Sequence, residues 1–195
     1  MSCLLVSCGE DIEEESEFVN WQARNEAFFA SLQDSLNSNP AQWKRIKCYS
    51  LDQTTEGNAT DYVYAKVIES GTGTEVPLFT DSVRVIYRGR LIPSASYSQG
   101  YVFDETVYGT YSSATGATKC FWLASTGLIS GFTTVLQHMH RGDYWRVYIP
   151  SELGYGETEN STADIPGYSV LIFDLTLVDF SPVGQTMPIW RARRQ

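Results

Sequence analysis

One continuous stretch, residues 128–177, limits what this chain can fold into. Its first hydrophobic residues recur at the i, i+3, i+4 and i+7 spacing of one helical face: Phe132, Val135, Leu136 and Met139. Gly142 stands where a helix end favours a residue that tolerates positive φ. Hydrophobic residues then alternate along 144–149 and 171–177, as in strands with one buried face. The pattern predicts a short helix and two strands that bracket a loop rich in Gly, Pro, Ser and Thr.

Short motifs in and before this stretch follow one another in a distinctive order. Upstream, 83–91 reads VRVIYRGRL, and Phe103-Asp104 comes after it. The later motifs are Leu128-Ile129, Gly131-Phe132, Ile149-Pro150, Leu153-Gly154-Tyr155-Gly156, Ile165-Pro166 and Phe173. The ordered set, over roughly residues 62–180, resembles the FKBP-type peptidyl-prolyl cis–trans isomerases. The order carries the resemblance, because each motif alone is short enough to occur by chance.

The resemblance implies an α+β fold, in which a twisted antiparallel sheet wraps on the short helix 132–139 and a helical appendage precedes the domain. It also implies an enzyme that isomerises X–Pro bonds of cell-envelope proteins without a cofactor and that binds macrolide inhibitors. The alternative is a non-catalytic binding module or chaperone for Pro-containing segments. A purely structural domain is the third hypothesis.

Carried over by position, the resemblance also implies a site. Phe132 forms the floor of a proline pocket, where the family usually has Trp. Asp104 lies beside the prolyl amide, and the Tyr155 hydroxyl and the Ile129 N–H donate to substrate carbonyls. The remaining walls are Tyr87, Phe103, Phe121, Leu128, Ile165 and Phe173. For the apolar members the alternative role is core packing, and for Asp104 it is a turn after a strand. Lys119 occupies a position that is often aromatic in the family.

The rest of the sequence offers little other chemistry. His138 and His140 are two residues apart, so they do not share a helical face and no metal site is expected. There is no Gly-rich phosphate loop and no nucleophile-elbow motif. The formal net charge of −9 argues against a nucleic-acid partner, because phosphate binding needs clustered Lys and Arg.

The N-terminus suggests a lipid anchor. Leu5-Val6-Ser7-Cys8 resembles a bacterial lipobox, which predicts lipidation of Cys8 and a location in the cell envelope, facing the periplasm or the cell surface. The alternative is a disordered apolar N-terminus. No hydrophobic run is long enough to span a bilayer. Cys48 and Cys120 remain, and they either pair or stay free, with Cys120 then a buried thiol in a predicted strand.

The chain is predicted to have four parts. Residues 1–17 form a signal remnant and an acidic tether, 18–60 a helical appendage and linker, 61–181 the FKBP-like domain, and 182–195 a tail. The helix in 18–36 either packs on the domain or mediates dimerisation. Four tyrosines mark two segments rich in small polar residues, which are expected to form loops near the pocket mouth or a substrate-gripping surface: Tyr97, Tyr101, Tyr108 and Tyr111.

Overall fold

The computed structural model describes residues 17–114, 116–187 and 189 of the 195-residue chain. Cys8 and the other lipobox residues lie outside this part. The described residues form two α-helices, seven strands and two short 3-10 helices, Ala59–Asp61 and Ser151–Leu153. In chain order the helices and strands are α1 Trp21–Ser38, β1 Trp43–Lys47, β2 Tyr62–Glu69, β3 Ser82–Arg90, β4 Val102–Glu105, β5 Lys119–Trp122, α2 Ser130–Leu136, β6 Tyr144–Ile149 and β7 Leu171–Ser181.

The strands pair antiparallel in one sheet, in the order β1-β2-β6-β7-β3-β4, with β5 also paired to β3. β7 runs along the whole of β3. The two short strands pair with β3 at different places, β4 with Arg88–Arg90 and β5 with Ser82–Val85. The two ends of the long connection 106–118 therefore both lie beside β3.

α2 covers one face of this sheet. In β6 the buried residues alternate as the sequence predicts, with Trp145, Val147 and Ile149 inside. A Cβ atom on Gly131 would stand 2.3 Å from Ile149 Cγ2, so the start of α2 lies directly on β6. The helix is shorter than predicted, although Met139 beyond its end is still fully buried. The α+β class, with an antiparallel sheet on a short helix, is confirmed.

α1 covers the opposite face. The Phe29 ring stacks on Tyr64 of β2, with centroids 4.8 Å apart and planes 4° from parallel. At the other end of the contact, Trp21 Nε1 donates to Ser169 Oγ over 2.8 Å, and the Val170 N–H donates to Asn25 Oδ1 over 2.8 Å. Because side chains alternate along a strand, β2 buries residues on both faces. The appended helix thus packs on the domain.

Several sequence expectations differ from the fold. The segment 18–60 contains not only a helix and a linker but also β1, which pairs with β2. Cys48 and Cys120 are both free thiols; the expectation that Cys120 is buried is wrong, because Cys120 in β5 is exposed and Cys48 is the buried one. The division of the chain at residue 61 stays a prediction. None of the described helices is both long and apolar enough to cross a membrane.

Candidate functional site

A cavity of about 370 Å³ opens between the start of α2, the strands β3 to β5 and the loop after the 3-10 helix Ser151–Leu153. This volume lies in the range of small-molecule sites. Nine of the ten site residues expected from the sequence line it, although they are spread over 87 positions of the chain from residue 87 to residue 173: Tyr87, Phe103, Asp104, Phe121, Leu128, Ile129, Phe132, Tyr155 and Phe173.

Phe132 lies at the centre of the aromatic wall. Its ring is buried and stands 5.2 Å from the Phe173 ring, 5.8 Å from Phe121 and 6.1 Å from Tyr87, measured between centroids. These separations and tilted arrangements are those that aromatic pairs favour. The floor of the cavity is therefore a set of mutually packed rings, and Phe132 contributes its ring without an indole N–H.

The backbone of β3 makes room for these rings at Gly89. A Cβ atom there would stand 2.5 Å from one carbon of the Phe103 ring and 2.7 Å from one carbon of the Phe173 ring. Such separations are far below van der Waals contact. The absence of a side chain at Gly89 is what lets Phe103 and Phe173 meet edge to face, 5.5 Å apart.

Polar groups converge at one edge of the cavity. The Tyr87 hydroxyl donates to Asp104 Oδ2 over 2.5 Å, and Lys119 Nζ donates to the Tyr87 oxygen over 3.0 Å. Lys119 Nζ is also 3.4 Å from Asp104 Oδ2. Burial raises the pKa of Tyr87 well above its usual value, and the hydrogen bond to Asp104 and the charge of that carboxylate raise it further. Tyr87 is thus a neutral donor that orients Asp104.

Two further residues that line the cavity, Tyr155 and Ile129, carry hydrogen-bond donors. Tyr155 follows the 3-10 helix Ser151–Leu153 and is partly exposed, and burial raises the pKa of its phenol, partly offset by a hydrogen bond with Asn160. Ile129 precedes α2 in an extended conformation, with φ −66° and ψ 144°. No described backbone or side-chain group accepts from its N–H. Both groups can hydrogen-bond a ligand in the cavity.

Ile165 differs from the expectation. It is fully buried, pairs with Asn160 in an isolated bridge and does not line the cavity. Its hydrophobic side chain instead fills the core beneath the loop. On that side the cavity is lined by Thr162 and Ala163, which sequence reasoning did not identify because nothing in a polar loop marks which residue turns inward.

The tyrosine-rich segments do not form the cavity wall. Tyr108 is 87% exposed, whereas Tyr111 is packed on the sheet, where its hydroxyl donates to the Ile86 carbonyl over 2.9 Å and its ring stacks on Tyr144. Tyr101 reaches Asp164 Oδ2 over 3.3 Å and so ties its loop to the loop beside the cavity. Tyr111 is therefore a packing residue and not part of a gripping surface.

Residues 73–178 match the family model of the FKBP-type peptidyl-prolyl cis–trans isomerases, which is more than half of the chain. The chain belongs to this family. It is 38% identical over 114 residues to the FKBP-type 22 kDa peptidyl-prolyl cis–trans isomerase of Escherichia coli K12, covering 58% of this chain and 48% of that protein. It is 34% identical over 113 residues to the outer membrane protein MIP of Legionella longbeachae, covering 58% and 42%.

The fold is also that of known members. A crystal structure of a peptidyl-prolyl cis–trans isomerase from Pseudomonas syringae superposes with a TM-score of 0.57 at 23% identity, covering 86% of this chain and 98% of the other. The present FKBP chain spans about half the length of the curated relatives that it matches. Among the described residues no group of three His, Cys, Asp or Glu side chains is arranged to hold a metal ion.

Proposed function

We propose that this protein is a peptidyl-prolyl cis–trans isomerase that acts on X–Pro bonds of polypeptides. The observation that carries the proposal is the aromatic cavity closed below by Phe132 and edged by the Tyr87–Asp104 pair, in a chain of the FKBP family. The cavity is large enough for a proline ring and its flanking peptide groups. Its walls are apolar and its polar groups few, as a site for an uncharged ring requires.

The reaction breaks no covalent bond. The barrier of roughly 18–20 kcal/mol is the loss of amide resonance on rotation about the C–N bond. The twisted amide has less charge separation than either planar form, so apolar walls disfavour the planar states relative to it. An enzyme that favours the twisted form by about 1.4 kcal/mol gains about tenfold in rate.

Each residue of the site has a part in this mechanism. The proline ring packs on Phe132 and between Phe173 and Phe121. The Ile129 N–H and the Tyr155 hydroxyl donate to the carbonyl oxygens that flank the rotating bond and hold the peptide in register. Asp104, oriented by the Tyr87 hydroxyl, acts on the dipole of the prolyl amide as the amide twists. The remaining apolar walls are formed by Phe103 and Leu128.

An isomerisation assay tests the proposal. The purified protein should accelerate the cis–trans relaxation of an Ala-Leu-Pro-Phe peptide in proportion to its concentration, above an uncatalysed process that takes tens to hundreds of seconds. Tyr108→Phe, outside the cavity, is the matched control and should be as active as the wild type. A folded wild type that binds such peptides without accelerating several of them would be a binding module. A folded wild type that neither binds nor isomerises these peptides would refute the proposed site.

We further propose that the protein acts in the cell envelope, held there by a lipid on Cys8. A relative named as an outer membrane protein and the acidic run after Cys8 support this. Expression of the native precursor should yield a membrane fraction without an unmodified peptide that contains Met1. Recovery of that peptide intact from soluble protein would contradict the anchor.

The cavity is also the site we propose for macrolide inhibitors, which would occupy the place of the proline ring. A macrolide inhibitor should compete with a prolyl peptide for the cavity. Phe132→Ala should lower the affinity of the protein for both ligands. Loss of peptide binding alone, with macrolide affinity retained, would place the macrolide elsewhere.

A further inference from the structure

Lys119 places a cation in a cavity whose walls are mainly apolar and aromatic. It begins β5, and its side chain is 49% exposed. Its Nζ stands 5.6 Å from the centroid of the Tyr87 ring and 5.3 Å from that of Phe121. The same Nζ donates to the Tyr87 oxygen and pairs with Asp104. The ammonium group thus contacts two acceptors and lies near the faces of two rings.

Lys119 sets the charge of the cavity. Among the described residues that line it, Asp104 and Lys119 alone carry a formal charge. With both present the lining is neutral. Without Lys119 it would carry the full charge of Asp104, in a chain whose formal net charge is already −9. One side chain therefore decides whether the mouth of the cavity repels a negative group.

The ammonium group of Lys119 also has one N–H donor available for a ligand. A lysine ammonium has three N–H donors and no acceptor. Two of them are directed at Tyr87 and Asp104, and in the described part of the chain no acceptor meets the third. Since half of the side chain is open to solvent, an acceptor on a bound peptide can reach the third donor.

We propose that Lys119 is a specificity-determining residue, which lets the cavity accept X–Pro segments whose residue X carries a carboxylate. The inference rests on the proposed function, in which Asp104 lies beside the prolyl amide. We place the side chain of X on the Lys119 side of the bound peptide, because Lys119 Nζ lies 3.4 Å from Asp104 Oδ2. Lys119 offsets the repulsion between Asp104 and an acidic X and donates to its carboxylate, so Glu-Pro segments are tolerated as well as neutral ones.

The test compares peptides that differ only at X. Ala-Glu-Pro-Phe, Ala-Gln-Pro-Phe and Ala-Lys-Pro-Phe would be assayed with the wild type, Lys119→Met, Lys119→Arg and Lys66→Met. Lys66 lies on β2, outside the cavity lining, so Lys66→Met changes the net charge equally without touching the site. For the wild type, kcat/KM for the Glu and Gln peptides should agree within about threefold, because the charges of Lys119 and Asp104 cancel.

Lys119→Met should lower the Glu-to-Gln ratio of kcat/KM by about tenfold, which is about 1.4 kcal/mol, and should raise the Lys-to-Gln ratio. Lys119→Arg should restore the ratios, and Lys66→Met should leave them unchanged. The difference between the wild type and Lys119→Met should shrink when the salt concentration rises from about 0.05 to 0.5 M, because screening weakens exposed charges. A lysine that merely held the fold together would not show this dependence.

An unchanged Glu-to-Gln ratio in folded Lys119→Met would overturn the inference. The dissociation constants of the same peptides, measured by calorimetry, give the ratio independently of turnover. If no peptide is isomerised, the proposed activity fails while the binding ratio still decides the role of Lys119. If no peptide is bound or isomerised, both proposals fall.

Discussion

The ring of Phe103 on β4 packs directly against the backbone of Gly89 on the neighbouring strand β3 and leaves no room there for a Cβ atom. A methyl group there would stand 2.5 Å from the Phe103 ring and would also meet Phe173 at 2.7 Å. The aromatic wall of the cavity therefore depends on a position without a side chain. This relationship can be tested directly.

Gly89→Ala should destabilise the protein by about 1–3 kcal/mol, because overpacking forces the two rings apart. It should also weaken the binding of prolyl peptides, since the displaced rings are cavity walls. Urea denaturation and peptide titration measure the two effects. Gly127→Ala is the control for stability, because its new methyl group would lie 3.7 Å from Ser125 Oγ, an ordinary contact distance, and its stability should stay near that of the wild type. Equal stabilities of the two variants would contradict the packing argument.

Asp104→Asn should slow isomerisation about tenfold or more, with a smaller change in the affinity for the peptide. The reason is that an interaction made mainly with the twisted amide affects turnover more than binding. Steady-state kinetics and calorimetry on one X–Pro peptide separate the two. Glu75→Gln removes an equal charge from an exposed side chain outside the cavity and should change neither. Parallel losses of affinity and rate in Asp104→Asn would show that Asp104 only binds.

Tyr87→Phe should make the protein less sensitive to alkali. The pKa of Tyr87 is higher in the folded protein than in the unfolded chain, where it is about 10. The stabilisation is therefore fully present below pH 10 and is lost as the pH rises above it, by up to about 1.4 kcal/mol per pH unit for one phenol. The free energy of unfolding between pH 10 and 11.5 should fall less steeply in Tyr87→Phe. Tyr108→Phe gives the comparison with an exposed phenol. A slope as steep as that of the wild type would contradict the prediction.

Asp174→Ala should destabilise the fold by about 3–5 kcal/mol. The carboxylate, 3% exposed on β7, accepts from Arg90 over 2.8 Å and from Arg146 over 2.7 Å. Its removal leaves two guanidinium groups without their buried partner, which is costly. Glu56→Ala breaks the exposed ion pair with Arg45 and should cost less than about 1 kcal/mol. Chemical denaturation of both variants measures the contrast, and similar losses would mean that burial does not set the strength of the Asp174 pairs.

The sequence predicted the elements whose side chains alternate or repeat. β6 and β7 show clear alternation, and the face of α2 follows helical spacing, because burial on one side selects the residue type at each position. The strand β1 was missed. In its sequence, Trp43–Lys47, only Ile46 is buried and the hydrophobic residues do not alternate, so the segment becomes a strand by pairing with β2. Non-local pairing of this kind leaves no local pattern.

The sequence also predicted part of the cavity but not all of it. The ordered motifs identified its aromatic residues, since a ring pocket needs large side chains at fixed positions. The role of Ile165 was not predictable, because a hydrophobic residue after a loop can turn toward the cavity or the core, and here it is in the core. The bonds of Lys119 to Tyr87 and Asp104 depend on the pairing of β3 with β4 and β5, which no single segment encodes.

The connection between β4 and β5 is a site that can accept insertions. The Ala117 N–H donates to the Thr106 carbonyl over 3.2 Å, so the two ends of the connection are already closed on each other beside β3. Closing a longer flexible loop costs only about 0.6 kcal/mol for each doubling of its length. An epitope or a binding peptide grafted at the exposed Tyr108-Gly109 would therefore be carried at the edge of the domain while the strands that line the aromatic cavity stay in register.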